Sequence, residues 1–255
     1  MNKNEVYIDF EAITNPFARL LDLPSGTPYA YTLGLINENN TFETTTFIMD
    51  FNQHNKLSSI WTILRRFIVH DIHKINKTLD IKDIVFVGHN PVLETNCIKK
   101  LFPNNTVREL ISKQTISLSK LTAKKFNTIY WKNTRKVLLP QIKDSSVMKQ
   151  TIENNGALAS FAGYWLYTKS IKNLRSNDKK LKYFYNLDKK SLTRDLRNYS
   201  SDDVHKMIFV EQNPEETKIL MRELSLKKDL MKILKNLNFD ENLTIKEIKD
   251  KIWSL

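Results

Sequence analysis

Val6-Tyr7-Ile8-Asp9-Phe10-Glu11-Ala12-Ile13 decides how the rest of this chain is read. With a period of two, Val6, Ile8 and Phe10 share one face of a strand, and Tyr7, Asp9 and Glu11 share the other. Strong strand formers therefore bracket two acids that point the same way. Carboxylates so placed repel unless a cation, a proton or a basic side chain lies between them. Two readings follow. The stretch is a half-buried edge strand with an acidic outer face, or it is half of a divalent-metal site that draws more acids from elsewhere.

Composition narrows the setting. The chain has 255 residues with 41% hydrophobic content, enough for one large domain or a domain with an appendage. Its formal net charge of +12 favours a polyanionic partner, nucleic acid first and an acidic membrane surface second. A composition rich in Lys, Asn and Ile, with only 5 Gly, accounts for part of that surplus. The single cysteine, Cys97, excludes an intrachain disulfide, fits a reducing cytoplasm and sits among residues that suit a helical core. The amino terminus lacks a signal-peptide apolar region, and no apolar run is long enough to span a bilayer. The expectation is a cytoplasmic protein with no membrane partner.

Outward from the opening strand, Thr14 to Pro28 carries Pro16, Pro24, Gly26 and Pro28 and reads as a loop. Tyr29 to Asn37 and Thr41 to Asp50 read as strands about an Asn39-Asn40 turn, which makes the opening a three-stranded meander. Leu57 to Leu79 has helical spacing, with Ser58 or Ser59 as a cap and with His70 and His73 in surface or core positions. Ile84 to Gly88 reads as a strand buried on both faces of a mixed sheet. It runs into Asn90, a candidate N-cap, and Pro91, which suits a first helical turn and puts Glu94 near the same face. Gln114 to Leu118 and Lys136 to Leu139 are candidate further strands. Ser145-Ser146 caps a helix through Ile152, and Leu158 to Leu174 is an aromatic-rich core helix.

Ser176 to Lys190 interleaves Lys179, Lys180 and Lys182 with Tyr183, Phe184 and Tyr185. Such a stretch either grips single-stranded nucleic acid by phosphate contact and stacking, or is a solvated loop with core anchors. Ser200, Ser201, Asp202 and Asp203 have the chemistry of a helix start. Pro214 to Leu237 and Leu243 to Trp253 read as charged amphipathic helices, a carboxy-terminal extension suited to a protein or nucleic-acid partner.

Three segments carry the chemistry in order: Asp9-x-Glu11, Asn90-x-x-x-Glu94 and Tyr199-x-x-x-Asp203. This resembles the DEDD exonucleases of the ribonuclease H-like superfamily, in the subclass with tyrosine in the third motif. Within it the chain is most similar to a bacterial family described only as a domain of unknown function. Asp9-Phe10-Glu11, His89-Asn90 through Leu93-Glu94, Ser146-Val147-Met148-Lys149 and Tyr199 through Asp203 to Met207 carry that likeness. It covers about residues 5 to 212. Glu94 stands where most of the superfamily has Asp, and Ser117-Leu118 where the family often has Asp-Leu.

The resemblance implies an α/β fold, a ribonuclease H-like mixed sheet flanked by helices over residues 1–212, with a helical extension over 213–255. It implies a 3′–5′ exonuclease acting on a single-stranded end of DNA or RNA. Asp9, Glu11, Glu94 and Asp203 would hold two Mg2+ or Mn2+ ions, with hard oxygen ligands. Tyr199 would orient the attacking water, and Asn90, Lys179, Lys180 and Lys182 would contact substrate. The alternatives are a non-catalytic nucleic-acid-binding module on the same fold and a scaffold whose carboxy-terminal helices bind protein.

Overall fold

The computed structural model describes residues 3–111, 116–126, 129–142, 145–236 and 244–253. The chain divides into two compact units, Met1–Gln212 and Asn213–Leu255. In the first, β1 (Glu5–Ile13), α1 (Phe17–Leu20), β2 (Thr27–Ile36), β3 (Phe42–Ile48) and α2 (Leu57–Ile75) come first. Then follow β4 (Val85–Gly88), α3 (Val92–Leu101), β5 (Thr106–Glu109), α4 (Leu118–Leu121) and α5 (Lys132–Leu138). The unit closes with α6 (Ser146–Glu153), α7 (Asn155–Ser170) and α8 (Lys189–Gln212). The second unit contains α9 (Pro214–Asn236) and α10 (Ile245–Trp253). No helix among the described residues is long and apolar enough to cross a membrane.

The sheet runs in the order β3-β2-β1-β4-β5. β1, β2 and β3 form the expected antiparallel meander, whereas β4 and β5 run parallel to β1. The opening strand is therefore central, paired along both sides, and the edge-strand reading is corrected. Its faces carry the two kinds of residue that the alternation assigned. On the apolar face, Tyr31 stacks on Phe47, which stacks on Phe67 of α2 at 4.5 Å between ring centroids. The Tyr31 hydroxyl donates to Asp71 of the same helix at 2.8 Å. The opposite face, carrying Asp9, receives α8, where Ser200 Oγ and Thr32 Oγ1 lie 2.9 Å apart.

α7 is the core helix that its aromatic content implied, with Phe161, Tyr164 and Trp165 buried. It seats tightly because Gly163 leaves room that a Cβ would take: such an atom would lie 2.5 Å from the Tyr29 ring. Ser145 Oγ accepts the Met148 backbone N–H at 3.2 Å and caps α6 as expected. Cys97 is buried in α3, where burial pushes its thiol up to about 12.

Several expectations are corrected. Lys136 to Leu139 is not a strand, since residues 132–138 are helical; Thr134 is fixed there by its N–H and hydroxyl bonds to buried Asp195 of α8. Gln114 and Thr115 lie outside the described residues, and Leu118 opens a short helix. The fifth strand is Thr106–Glu109 instead. Neither Ser58 nor Ser59 caps α2, whose N-cap is Lys56. Asn90 is not an N-cap either: it has φ 48° and is followed by Pro91 at the cap position. Tyr199 and Asp203 do not begin a helix but lie within the 24 residues of α8. The capping role falls upstream, where Asp188 accepts the Ser191 N–H at 2.7 Å. The expected ends at Leu237 and Leu243 lie outside the described residues.

Candidate active site

The central strand delivers two acids to the α8 side of the sheet. Asp9 lies opposite Thr32 and Glu11 opposite Ala30, and the β1–β2 register shifts between Glu11 and Ala12. The regular ladder is thus interrupted directly after the second acid. Glu94 arrives from the first turn of α3, and Gly88 permits its approach. A Cβ on Gly88 would lie 2.9 Å from Pro91 Cβ and 3.2 Å from Glu94 Cγ. Glu94 Oε1 accepts a long hydrogen bond, 3.4 Å, from the Phe10 backbone N–H between the two strand acids. Asp203 comes from α8, which meets the sheet at the Ser200–Thr32 contact.

Glu11 and Glu94 are each 6% exposed, Asp9 is half-buried, and each acid feels its neighbours. Burial raises the Asp9 carboxyl well above the ordinary range, and repulsion from Glu11, Asp203 and Glu94 raises it further. Burial does the same to Glu11, with Asp203 and Glu94 adding to it. Glu94 is pushed up to about 7 by burial, against its two backbone hydrogen bonds. Asp203 is raised by burial and held back by Lys206. Glu11 Oε1 is buried with no hydrogen-bond partner. An ionised oxygen in that position is costly without a cation or a proton.

Sequence reasoning missed Lys206. Its ammonium lies 2.7 Å from Asp203 Oδ1, 3.4 Å from Ser119 Oγ and 4.7 Å from the Tyr130 ring centroid. The signal was present as an i,i+3 acid–base pair, but it is visible only once residues 203 and 206 are read as mid-helix. Tyr130 and Trp131 were missed as well. Their rings pack on Tyr199 at 5.4 and 5.8 Å between centroids. Trp131 takes a left-handed backbone, φ 61°, a strained geometry for a bulky residue. The Tyr199 hydroxyl faces Asp203, and burial and the surrounding carboxylates raise its pKa. Beside Tyr130 and Asp202 opens a cavity of about 400 Å³, lined also by Lys132, Asn133 and Ser201.

No family model, curated protein or solved structure matches the chain.

Asp9, Glu11, Glu94, Asp203 and Tyr199 are thus brought together, while the other candidates fare differently. Asn90 is exposed and lines a separate groove with Thr95 and Val107. Lys179 and Lys180 form ion pairs with Asp22. Lys182 lies over the Tyr183 ring, and Tyr183 is itself buried in the core. The aromatic half of that stretch is core anchorage. His70 pairs with Asp71, and His73 Nε2 lies 3.2 Å from the Leu79 carbonyl. The segment at Ser117 lies close to the site, since Ser119 reaches Lys206 and the Ile116 carbonyl meets His89 Nε2 at 2.8 Å.

The donor set fits a hard divalent cation: four carboxylates, one of them with a buried orphan oxygen. No group of three or more His, Cys, Asp or Glu among the described residues is arranged to hold a metal ion as it stands.

Proposed function

We propose that this chain is a divalent-metal-dependent nuclease, a 3′–5′ exonuclease of DNA or RNA in the tyrosine subclass of the DEDD, ribonuclease H-like superfamily. The observation that carries the reading is the meeting of three sequence-distant motifs at one acidic centre. Asp9, Glu11, Glu94 and Asp203 repel one another there, and the Glu11 Oε1 atom is buried without a partner. A mixed sheet flanked by helices is the setting that the resemblance implies, and the net charge of +12 suits a polyanionic substrate.

Asp9, Glu11, Glu94 and Asp203 would hold Mg2+ or Mn2+, which when bound supplies an activated water and neutralises charge on the scissile phosphate. The chain's own residues do the rest. Tyr199, wedged between Tyr130 and Trp131, holds its hydroxyl beside Asp203 and orients the attacking water.

One observation favours a second reading, a nucleic-acid-binding module without turnover: no group of three or more His, Cys, Asp or Glu among the described residues is arranged to hold a metal ion. A single assay separates the two. End-labelled single- and double-stranded DNA and RNA are incubated with manganese or with chelator, for the native chain and for Asp9→Asn. Manganese-dependent shortening from the 3′ end, lost in Asp9→Asn, supports the exonuclease. Binding without shortening supports the module.

A further inference from the structure

We propose that the cavity between α5 and α8 is a nucleoside subsite, which takes the sugar and base of one residue of a single strand bound at the acidic centre. This deepens the nuclease reading above and rests on it for the class of ligand. The cavity, of about 400 Å³, has the volume of a small-ligand site. Tyr130 is the wall that it shares with the acidic centre. The Tyr130 hydroxyl donates at 2.9 Å to Asp202, which lines the cavity. The Tyr130 ring packs on Tyr199 and lies 4.7 Å from the ammonium of Lys206, the partner of Asp203.

The fold itself holds the walls in place. Asp195 Oδ2 accepts the Thr134 N–H at 3.1 Å and the Thr134 hydroxyl at 2.8 Å, which ties α5 to α8. Arg135 donates to the carbonyls of Tyr130 and Ile152 and to Asn155 Oδ1, which fixes the segment leading into α5. The lining keeps unspent polar capacity. Asn133 and Asn198 are exposed on it, and among the described residues no hydrogen bond occupies either side-chain amide. An amide both donates and accepts, which suits a base edge or a sugar hydroxyl. Ile129, 68% exposed, offers the ring an apolar surface. Charge then sorts the parts of the ligand. Asp195 and Asp202 repel a phosphate from the lining, so the flanking phosphates fall to the exposed bases Lys132 and Arg194, the latter one turn before Asn198. Among the described residues neither base has an ion-pair partner, whereas Lys179 and Lys180 are paired with Asp22.

Fluorescence anisotropy of 5′-labelled single-stranded DNA and RNA on the Asp9→Asn chain in manganese tests this, with an abasic residue moved one position at a time from the 3′ end. One position should cost at least about fivefold in affinity, the loss of a base contact. Asn133→Ala combined with Asn198→Ala should weaken the intact strand at least about fivefold and abolish that positional step. Alanine suits both exposed helical positions, and an unchanged melting temperature confirms that the double variant folds. Lys132→Ala and Arg194→Ala should each lower the slope of affinity against salt by about 1, and Lys182→Ala should leave it unaltered. Absence of the positional step, its survival in the double variant, or an equal change of slope in Lys182→Ala overturns the subsite. The nuclease reading is then untouched, since it is decided by manganese-dependent shortening with the native chain. Failure to bind any strand overturns both.

Discussion

Ser200 Oγ lies 2.9 Å from Thr32 Oγ1, and Thr32 is the residue directly opposite Asp9 in the sheet. This hydroxyl contact joins the helix that carries Tyr199 and Asp203 to the residue beside the strand that carries Asp9 and Glu11. Both residues are fully buried. Thr32 keeps a second partner in Thr46 Oγ1 at 2.8 Å, so Ser200→Ala leaves no polar atom wholly orphaned. The expected cost is about 1 kcal/mol, or about 2–4 °C in melting temperature. Hydrolysis should fall by more than that loss accounts for, about tenfold or more, because the motifs lose their register. Thermal melts beside single-turnover assays check it; an unaltered rate would show that α8 is positioned by packing alone.

Asp9→Asn should abolish hydrolysis and raise the melting temperature in chelator. Asp9 is destabilised by burial and by Glu11, Asp203 and Glu94, with Lys206 alone opposing. Removing its charge relieves repulsion that no metal is present to offset. A fall of several degrees in chelator would instead mark Asp9 as a structural acid.

Burial holds the Glu94 carboxyl up to about 7 in the folded chain, against an ordinary 4.5. Between those values the unfolded chain gives up the proton and the folded chain keeps it. Stability therefore falls as pH rises through that window, by on the order of 3 kcal/mol from this group. Asp9, Glu11 and Asp203 are shifted in the same direction. In chelator, melting temperature should drop from about pH 5 to about pH 8. Saturating manganese should flatten or reverse the slope, since the ion binds ionised carboxylates. A chelator profile that rises over the same range would contradict the buried acidic centre.

How much of this was legible varied with the kind of signal. The alternation of Val6 to Phe10 is strong because β1 buries one face in the core and offers the other to α8, and its acids could be paired with Glu94 and Asp203 by motif. Ser200 to Asp203 misled because serines followed by acids look like a cap. Leu192, Leu196, Val204 and Met207, buried along one continuous helix, show that the apolar period runs straight through them. Val137-Leu138-Leu139 is too short an apolar run to tell strand from helix, and Asp195, far along the chain, decides it through Thr134. β5 is four residues with a polar, half-exposed pattern, and it acquires strand character by pairing with β4. Lys206 was hidden for the same reason as α8: its partner is legible only on a helix already in place.

Tyr199→Phe separates a chemical role from a packing one. The ring is half-buried, with its edge and face against Tyr130 and Trp131, and phenylalanine keeps all of that area. Folding stability should therefore change by less than about 1 kcal/mol. Manganese affinity should also hold, because the substitution removes a hydroxyl and leaves every carboxylate of the centre in place. Turnover should fall about 10²–10⁴-fold, as expected when a group that orients the attacking water is lost. Tyr130→Phe is the matched control, since its hydroxyl donates to Asp202 Oδ2 at 2.9 Å, on the neighbouring acid. That variant should lose about 1 kcal/mol of stability while its turnover stays within about tenfold. Equal losses of turnover in the two variants would assign both hydroxyls to holding α8 in place, and full activity in Tyr199→Phe would remove the tyrosine from the reaction altogether.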